Sequence, residues 1–370
     1  MTASSERHGR RPRLERWLIL GVACVLLALS GTALANFPDA AQGWHASHIG
    51  PASSTVAVGP LGCPSRSLCL GPGGSGPSSV VRGNPLGGSA SWTEVPGLLP
   101  AQSASQYPQA IACPSTRVCA VAYVNGLVAA TGTPNGTTPW TTTTVSTGYL
   151  NGISCTPQAS LCVTTGKGGI YASTDPASPY PTWRQISRVP ARAVSCPSVH
   201  LCAVVGLKRA QILVSTNPTA RTVRWTQRVI QTRLIELGDI SCATNRLCVA
   251  ADFYGKVVSS TRPSGPASAW KIAYPLAKQG RGLGNVSCVA AHLCIVSENI
   301  DGKVLLSNDP TGGKRAWKNE QIGPDEQPVT ALCQSTTLCV ALDDIGDLLY
   351  NTHPIAGLKE SARVDPTGNP

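Results

Sequence analysis

Apolar residues along this chain fall in short runs separated by clusters of Gly, Pro, Ser, Asn and Asp. Ile153-Ser154-Cys155, Val194-Ser195-Cys196, Ile240-Ser241-Cys242 and Val286-Ser287-Cys288 each lead into a polar turn. Leu161-Cys162-Val163, Leu201-Cys202-Ala203, Leu247-Cys248-Val249 and Leu293-Cys294-Ile295 follow those turns. An apolar run, a turn and a second apolar run predict a β-hairpin, with strands A and B. A further turn, as at Asp301-Gly302, precedes a third run such as Lys303-Val304-Leu305-Leu306-Ser307, strand C. A proline-containing loop and a tryptophan then open a fourth run, strand D, as at Trp317-Lys318-Asn319-Glu320-Gln321-Ile322. No helical period runs through these segments, which predicts an all-β protein.

The cysteines count the repeats. Fourteen of the fifteen fall into seven pairs: Cys63 with Cys69, Cys113 with Cys119, Cys155 with Cys162, Cys196 with Cys202, Cys242 with Cys248, Cys288 with Cys294, and Cys333 with Cys339. The first cysteines are spaced by 50, 42, 41, 46, 46 and 45 residues, a blade-type period too short for separate domains. Four antiparallel strands repeated seven times specify a seven-bladed β-propeller around a central channel.

The tryptophans outside the N-terminal segment are also seven: Trp44, Trp92, Trp140, Trp183, Trp225, Trp270 and Trp317. None follows the last cysteine pair, and Trp44 stands ahead of the first. The N-terminal strand around Trp44 is therefore expected to supply strand D of the last blade, pairing with residues 346–351. Ring closure of this kind removes exposed sheet edges.

Composition agrees with a turn-rich β protein: 13% of residues are charged, while Gly and Pro number 37 and 30. With one Met and two Phe, the core must come from Val, Ile, Leu, Ala and Trp. The N-terminal region reads differently. Residues 1–16 hold five arginines, residues 17–35 contain an apolar stretch, and Ala33-Leu34-Ala35 has the small-x-small form of a signal-peptidase site. Two readings stand: a signal peptide cleaved after Ala35, or an uncleaved membrane anchor, since 19 residues just reach the roughly 20 needed to span a bilayer. Either places the propeller, residues 36–355, on the extracytoplasmic side, with residues 356–370 as a flexible tail. Residues 1–35 contribute +3 of the formal +11, leaving +8 for the exported part. That excess suits anionic wall polymers or lipid headgroups, and no basic run with interleaved aromatics points to nucleic acid.

An exported chain meets a disulfide-permissive compartment, so one disulfide within each blade is the favoured reading of the pairs. Free thiols and metal sites are its rivals. Metal is disfavoured because each hairpin offers two thiols and no regularly placed histidine, whereas closed zinc sites need four ligands. No cofactor-binding motif is present either: the chain has no Gly-x-Ser-x-Gly elbow, no His-Glu-x-x-His and no phosphate-cradling loop.

At the C–D connection, Ser173-Thr174-Asp175 leads to Trp183, Ser215-Thr216-Asn217 to Trp225 and Ser307-Asn308-Asp309 to Trp317. This resembles the Asp-box propellers, a group that includes sialidases and many non-enzymatic bacterial surface proteins. Their box reads approximately Ser-x-Asp-x-Gly-x-Thr-Trp. The interval from the acidic or amide residue to tryptophan is eight positions here against five in the family, a regular three-residue insertion. The resemblance implies architecture; sialidase chemistry would need three arginines, a tyrosine–glutamate pair and an acid/base aspartate, a set that cannot be assigned.

Binding on a rigid scaffold usually resides in its loops. The B–C and D–A loops share one propeller face, and their charges vary around the ring. Lys208, Arg209, Asp252, Arg281, Asp301, Asp343 and Asp344 are the candidate binding residues, with a solvated rim of ordinary surface charge as the competing reading. The expected function is a monomeric, non-catalytic binding module at the cell surface, whose partner is a glycan or a protein, with the membrane as a further partner if residues 17–35 are retained. A glycan-directed hydrolase or lyase and a structural envelope scaffold are the alternatives.

Overall fold

A computed structural model describes residues 43–49, 59–73, 78–103, 105–208, 210–230, 236–276, 282–298, 302–322, 328–343 and 346–356. They form seven four-stranded antiparallel sheets, each an A-B-C-D meander. The fifth blade shows the plan, with strands Leu237–Thr244, Leu247–Asp252, Val257–Ser260 and Lys271–Ala273. The seventh takes three strands from the end of the chain, Pro328–Ser335, Leu338–Asp343 and Asp347–Asn351. Its fourth is Trp44–His48, in register from Trp44 opposite Asn351 to His48 opposite Asp347. The ring is closed as expected. The segments 1–35 and 357–370 lie outside the described residues, and no described helix is long and apolar enough to cross a membrane.

Seven hydrophobic cores, one between each pair of successive blades, hold the ring together. The period of two in a strand explains this division. In the fifth blade Cys248, Ala250 and Val258 pack toward the fourth, beside Val205, Ile212 and Trp270. Leu247, Val249, Ala251 and Val257 pack toward the sixth, against Leu283, Val296 and Trp317. Strand B is thus covered on both faces and reads as an unbroken apolar run. The tryptophans sit in these inter-blade cores, and Trp44 occupies the one between blades six and seven with Leu306 and Ile322. Its indole N–H also donates to Glu320 Oε2 at 3.1 Å in the sixth blade.

All seven cysteine pairs are disulfides, each within one blade, with Cα–Cα distances between 3.9 and 4.2 Å. Cys63 bonds Cys69 in the first blade, Cys113 bonds Cys119 in the second, and Cys333 bonds Cys339 in the seventh. The pairs of Cys242 with Cys248 and of Cys333 with Cys339 stand directly opposed across strands A and B. The strand B partner is the more deeply buried one: Cys69, Cys119 and Cys339 have no exposed surface, and each belongs to an inter-blade core. Their sulfurs are therefore core packing atoms, out of reach of a ligand on either face. Such bonds belong to an oxidising, extracytoplasmic environment.

The repeated Ser-Cys dipeptide has its own role. Ser154 Oγ accepts the Cys196 N–H at 3.0 Å, Ser195 the Cys242 N–H at 2.8 Å, Ser241 the Cys288 N–H at 2.9 Å and Ser287 the Cys333 N–H at 3.2 Å. Each serine thereby ties its blade to the next. The first blade has Gly62 at this position, where a Cβ would stand 3.0 Å from Cys113 Sγ and crowd the neighbouring disulfide.

The C–D loops explain the eight-residue interval. In the first blade a turn closes with the Gly87 N–H on the Asn84 carbonyl, and a 3-10 turn, Ser89–Ser91, then brings in Trp92. Ala267–Ala269 and Lys314–Ala316 play the same part before Trp270 and Trp317. In these three blades strand D begins one residue after the tryptophan, whereas in the seventh it begins on Trp44. Arginines clamp these loops to the blade before: Arg82 donates to the Gly136 carbonyl at 2.6 Å, Arg184 to the Arg221 and Ala220 carbonyls, and Arg228 to those of Ser264 and Gly265.

Candidate functional site

Strands A of successive blades line the axis and leave a channel of about 960 Å³ bounded by all seven blades. Small and aliphatic residues make up most of its wall, in keeping with a binding cavity that relies on a few placed polar groups. Among the described lining residues only Arg192 and Asp239 are charged; Gln109, Asn151 and Asn285 add amides, and the Ser154, Ser195, Ser241 and Ser287 series adds hydroxyls.

Most of those polar groups are spoken for by the ring itself: the four serines accept the cysteine amides of the next blade, and Asn151 donates to the Ala191 carbonyl at 3.3 Å. Asn285 faces Ala331 of the seventh blade, donating to its carbonyl at 2.7 Å and accepting its N–H at 2.8 Å. Asp239 Oδ2 accepts the Val286 N–H of the sixth blade at 2.9 Å. Burial in the channel wall pushes the Asp239 carboxyl up to about 6, against hydrogen bonds from the Val286 and Ile240 amides that act to lower it.

The channel opens among the D–A and B–C loops beside Tyr149, Leu207 and Phe253. Arg192 reaches this mouth from strand A of the fourth blade. Its Nη2 lies 3.3 Å from Glu236 Oε1, and its guanidinium carbon sits 5.0 Å from the centre of the Phe253 ring. Stacking of this kind suits a planar guanidinium and leaves its other edges for a ligand. A second cation lies beside aromatics nearby: Lys256 Nζ is 6.0 Å from the Tyr254 ring and 5.8 Å from that of Tyr274. Tyr107, Tyr149, Leu207, Tyr254 and Tyr274 are all exposed on this face, Tyr274 by half its surface.

The candidate residues distribute unevenly over this geometry. Lys208 is exposed on the B–C turn beside Leu207. Asp252 and Asp343 close their own B–C turns: Asp252 Oδ1 accepts the Tyr254 and Lys256 amides at 3.0 and 2.6 Å, and Asp343 Oδ1 accepts the Asp347 amide at 2.7 Å. Asp252 is fully buried, its other oxygen 3.7 Å from Lys256 Nζ, and burial raises its carboxyl above the ordinary range. These two carboxylates shape loops and do not face the channel. Arg209, Arg281, Asp301 and Asp344 lie outside the described residues. Sequence reasoning missed Arg192, Phe253 and Asp239. The Arg192 and Asp239 positions fall just before a Ser-Cys dipeptide, and nothing in their spacing separates channel wall from blade interior.

No group of three or more His, Cys, Asp or Glu able to hold a metal occurs among the described residues.

Closed ring, inter-blade cores and axial channel define a seven-bladed β-propeller. No family model matches the chain, and no curated protein matches its sequence. Solved propellers do match its fold. YCF48 bound to a D1 peptide superposes with a TM-score of 0.62 at 13% identity, over 84% of this chain and 96% of that one. A catalytically inactive virginiamycin B lyase from Staphylococcus aureus with quinupristin gives 0.66 at 11% identity, over 84% and 99%. U3-55K gives 0.63 at 12% identity, over 85% and 99%. At these identities the likeness is one of fold.

Proposed function

We propose that this protein is an extracytoplasmic, non-catalytic interaction propeller that takes a protein or peptide partner at the channel mouth. The observation that carries the reading is the grouping of exposed Tyr107, Tyr149, Leu207, Tyr254 and Tyr274 around a mouth that presents Arg192 stacked on Phe253. Exposed aromatics and stacked arginine are the side chains from which protein-binding hot spots are made. The solved neighbours support the reading in kind, since one of them holds a peptide. Lys208 belongs to the same rim. Export rests on the seven disulfides and on the signal-like residues 17–35.

Panning a displayed random-peptide library against the folded ring tests this. Peptides should be recovered that bind the wild-type ring and lose at least tenfold in affinity to Tyr149→Ala and Arg192→Gln, about 1.4 kcal/mol. Peptides indifferent to both substitutions would refute the placement. A glycan array offers the second arm: saccharide binding, with turnover of the bound sugar, would favour the hydrolase or lyase alternative.

A further inference from the structure

The A–B and C–D turns form the face opposite the channel mouth just described, and its charge is strongly one-sided. Arg66, Arg117 and Arg246 are exposed in A–B turns, and Arg221, Arg224, Arg262, Lys314 and Arg315 in C–D loops. Against these eight cations the described turns hold two carboxylates, Asp175 and Asp309, and both accept hydrogen bonds from their own loops: Thr182 donates to Asp175, and Thr311 to Asp309. Hydrogen bonds from Ser173 and Thr182 outweigh burial and hold Asp175 below the usual carboxylate range. The opposite face is mixed, with Lys167, Arg188, Arg192, Lys208 and Lys256 set against Glu236, Asp239, Asp252, Glu298 and Asp343.

Two further features fall on the basic face. Tyr180, in the C–D loop of the third blade, is 89% exposed, and Leu86 in that of the first is also exposed. An aromatic ring with a polar tip is the side chain that settles at a membrane–water boundary. The second feature is where the chain enters the ring. Trp44–His48 serves as strand D of the seventh blade, antiparallel to Asp347–Asn351, so it runs from the C–D side toward the D–A side. Trp44 therefore enters on the basic face. Only residues 36–43 separate it in sequence from the apolar stretch that ends at Ala35.

We infer that the basic face of the A–B and C–D turns docks on a bilayer surface of anionic lipid headgroups, holding the channel mouth outward. Charge complementarity selects the surface, since a lipid phosphate layer attracts each Lys or Arg within a Debye length of about 8–10 Å. Entry of the chain on this same face gives the direction, and Tyr180 and Leu86 supply the interfacial contact. The inference stands on the opposite side of the ring from the proposed partner site, so either can fail alone.

Residues 36–370 include every described strand of the closed ring and permit a direct test by cosedimentation with vesicles. Binding is expected to vesicles of phosphatidylcholine containing phosphatidylglycerol, and its loss in high salt. Each neutralised arginine should lower the partition coefficient about fivefold, so Arg117→Gln, Arg246→Gln and Arg262→Gln together should lower it about a hundredfold. Tyr180→Ala should weaken it as well, while Lys167→Gln with Lys208→Gln on the mouth face should leave it unchanged. Far-UV circular dichroism and thiol titration confirm that each variant keeps the ring and its disulfides. Equal partition to pure phosphatidylcholine, no partition to either vesicle, or sensitivity to the mouth-face pair would overturn the inference. Capture of soluble polyphosphate without vesicle binding would overturn the lipid assignment too.

Discussion

Trp44→Ala tests the closing strand most directly. The indole is 2% exposed and fills the core between blades six and seven beside Leu306, Ile322 and Leu349. A buried aromatic of this size covers about 150–250 Å², or about 4–6 kcal/mol at 25 cal/mol per Å². Truncation of a buried Trp to Ala typically costs about 3–5 kcal/mol once partial collapse of the cavity is counted. Loss of the N–H to Glu320 adds less than a full charged hydrogen bond, because Lys318 Nζ remains 3.0 Å from the same carboxylate. We expect about 4 kcal/mol in all, against about 1–2 kcal/mol for Trp44→Phe, which keeps an aromatic ring and loses the donor. Equilibrium urea unfolding followed by far-UV circular dichroism measures both, with an unchanged m-value showing that the transition keeps its character. Trp270→Ala provides the comparison, since Trp270 occupies the equivalent core without closing the ring. A Trp44→Ala cost below about 1 kcal/mol, or equal costs for Ala and Phe, would refute the assignment of Trp44 as the closing anchor.

Three further outcomes follow from the same structure. Asp239 holds its proton to about pH 6 when folded but to about 3.8 when unfolded, so the native state binds more protons between these values. The Asp239 contribution to stability should be largest below about pH 4 and fall by roughly 2–3 kcal/mol as pH rises to 6, and Asp239→Asn should remove that part of the slope in urea titrations across pH. Ser241→Ala removes the acceptor for the Cys288 amide and should cost about 1 kcal/mol, with Ser287→Ala similar; no change in either would remove the serine series as blade-to-blade ties. Replacing Cys242 and Cys248 together by Ala reopens a seven-residue ring and should lower stability by about 2.4 kcal/mol on loop-closure entropy alone, read against the wild type under reducing and oxidising conditions.

Blade number, disulfide pairing and the closing role of Trp44 were legible in the chain because each depends on local order repeated at a fixed period. A hairpin's cysteines lie six or seven residues apart, as Cys63 and Cys69 or Cys155 and Cys162 do, so their pairing survives any uncertainty about how blades meet. The unbroken apolar run of strand B is a local pattern too, visible in the Leu-Cys-Val-Ala-Ala sequence of residues 247–251 before any packing is known. Which cysteine of each pair is sealed was not visible: Cys69, Cys119 and Cys339 lose all exposure only because the next or previous blade covers strand B. The interval before tryptophan was legible as a number, but its meaning, a turn followed by a 3-10 turn, was not.

What only the folded ring decided lies about one repeat away in sequence. Ser195 meets the Cys242 amide 47 positions on, Arg184 meets the loop at Ala220, and Asn285 meets Ala331. Asp252 and Lys208 look alike from the sequence, two charges in B–C turns. Yet one is sealed by its own turn amides and the other faces solvent. Strand periodicity fixes which side of a sheet a residue occupies. Which neighbour covers that side, and which residues are left to line the channel, is settled only when seven sheets close around a common axis.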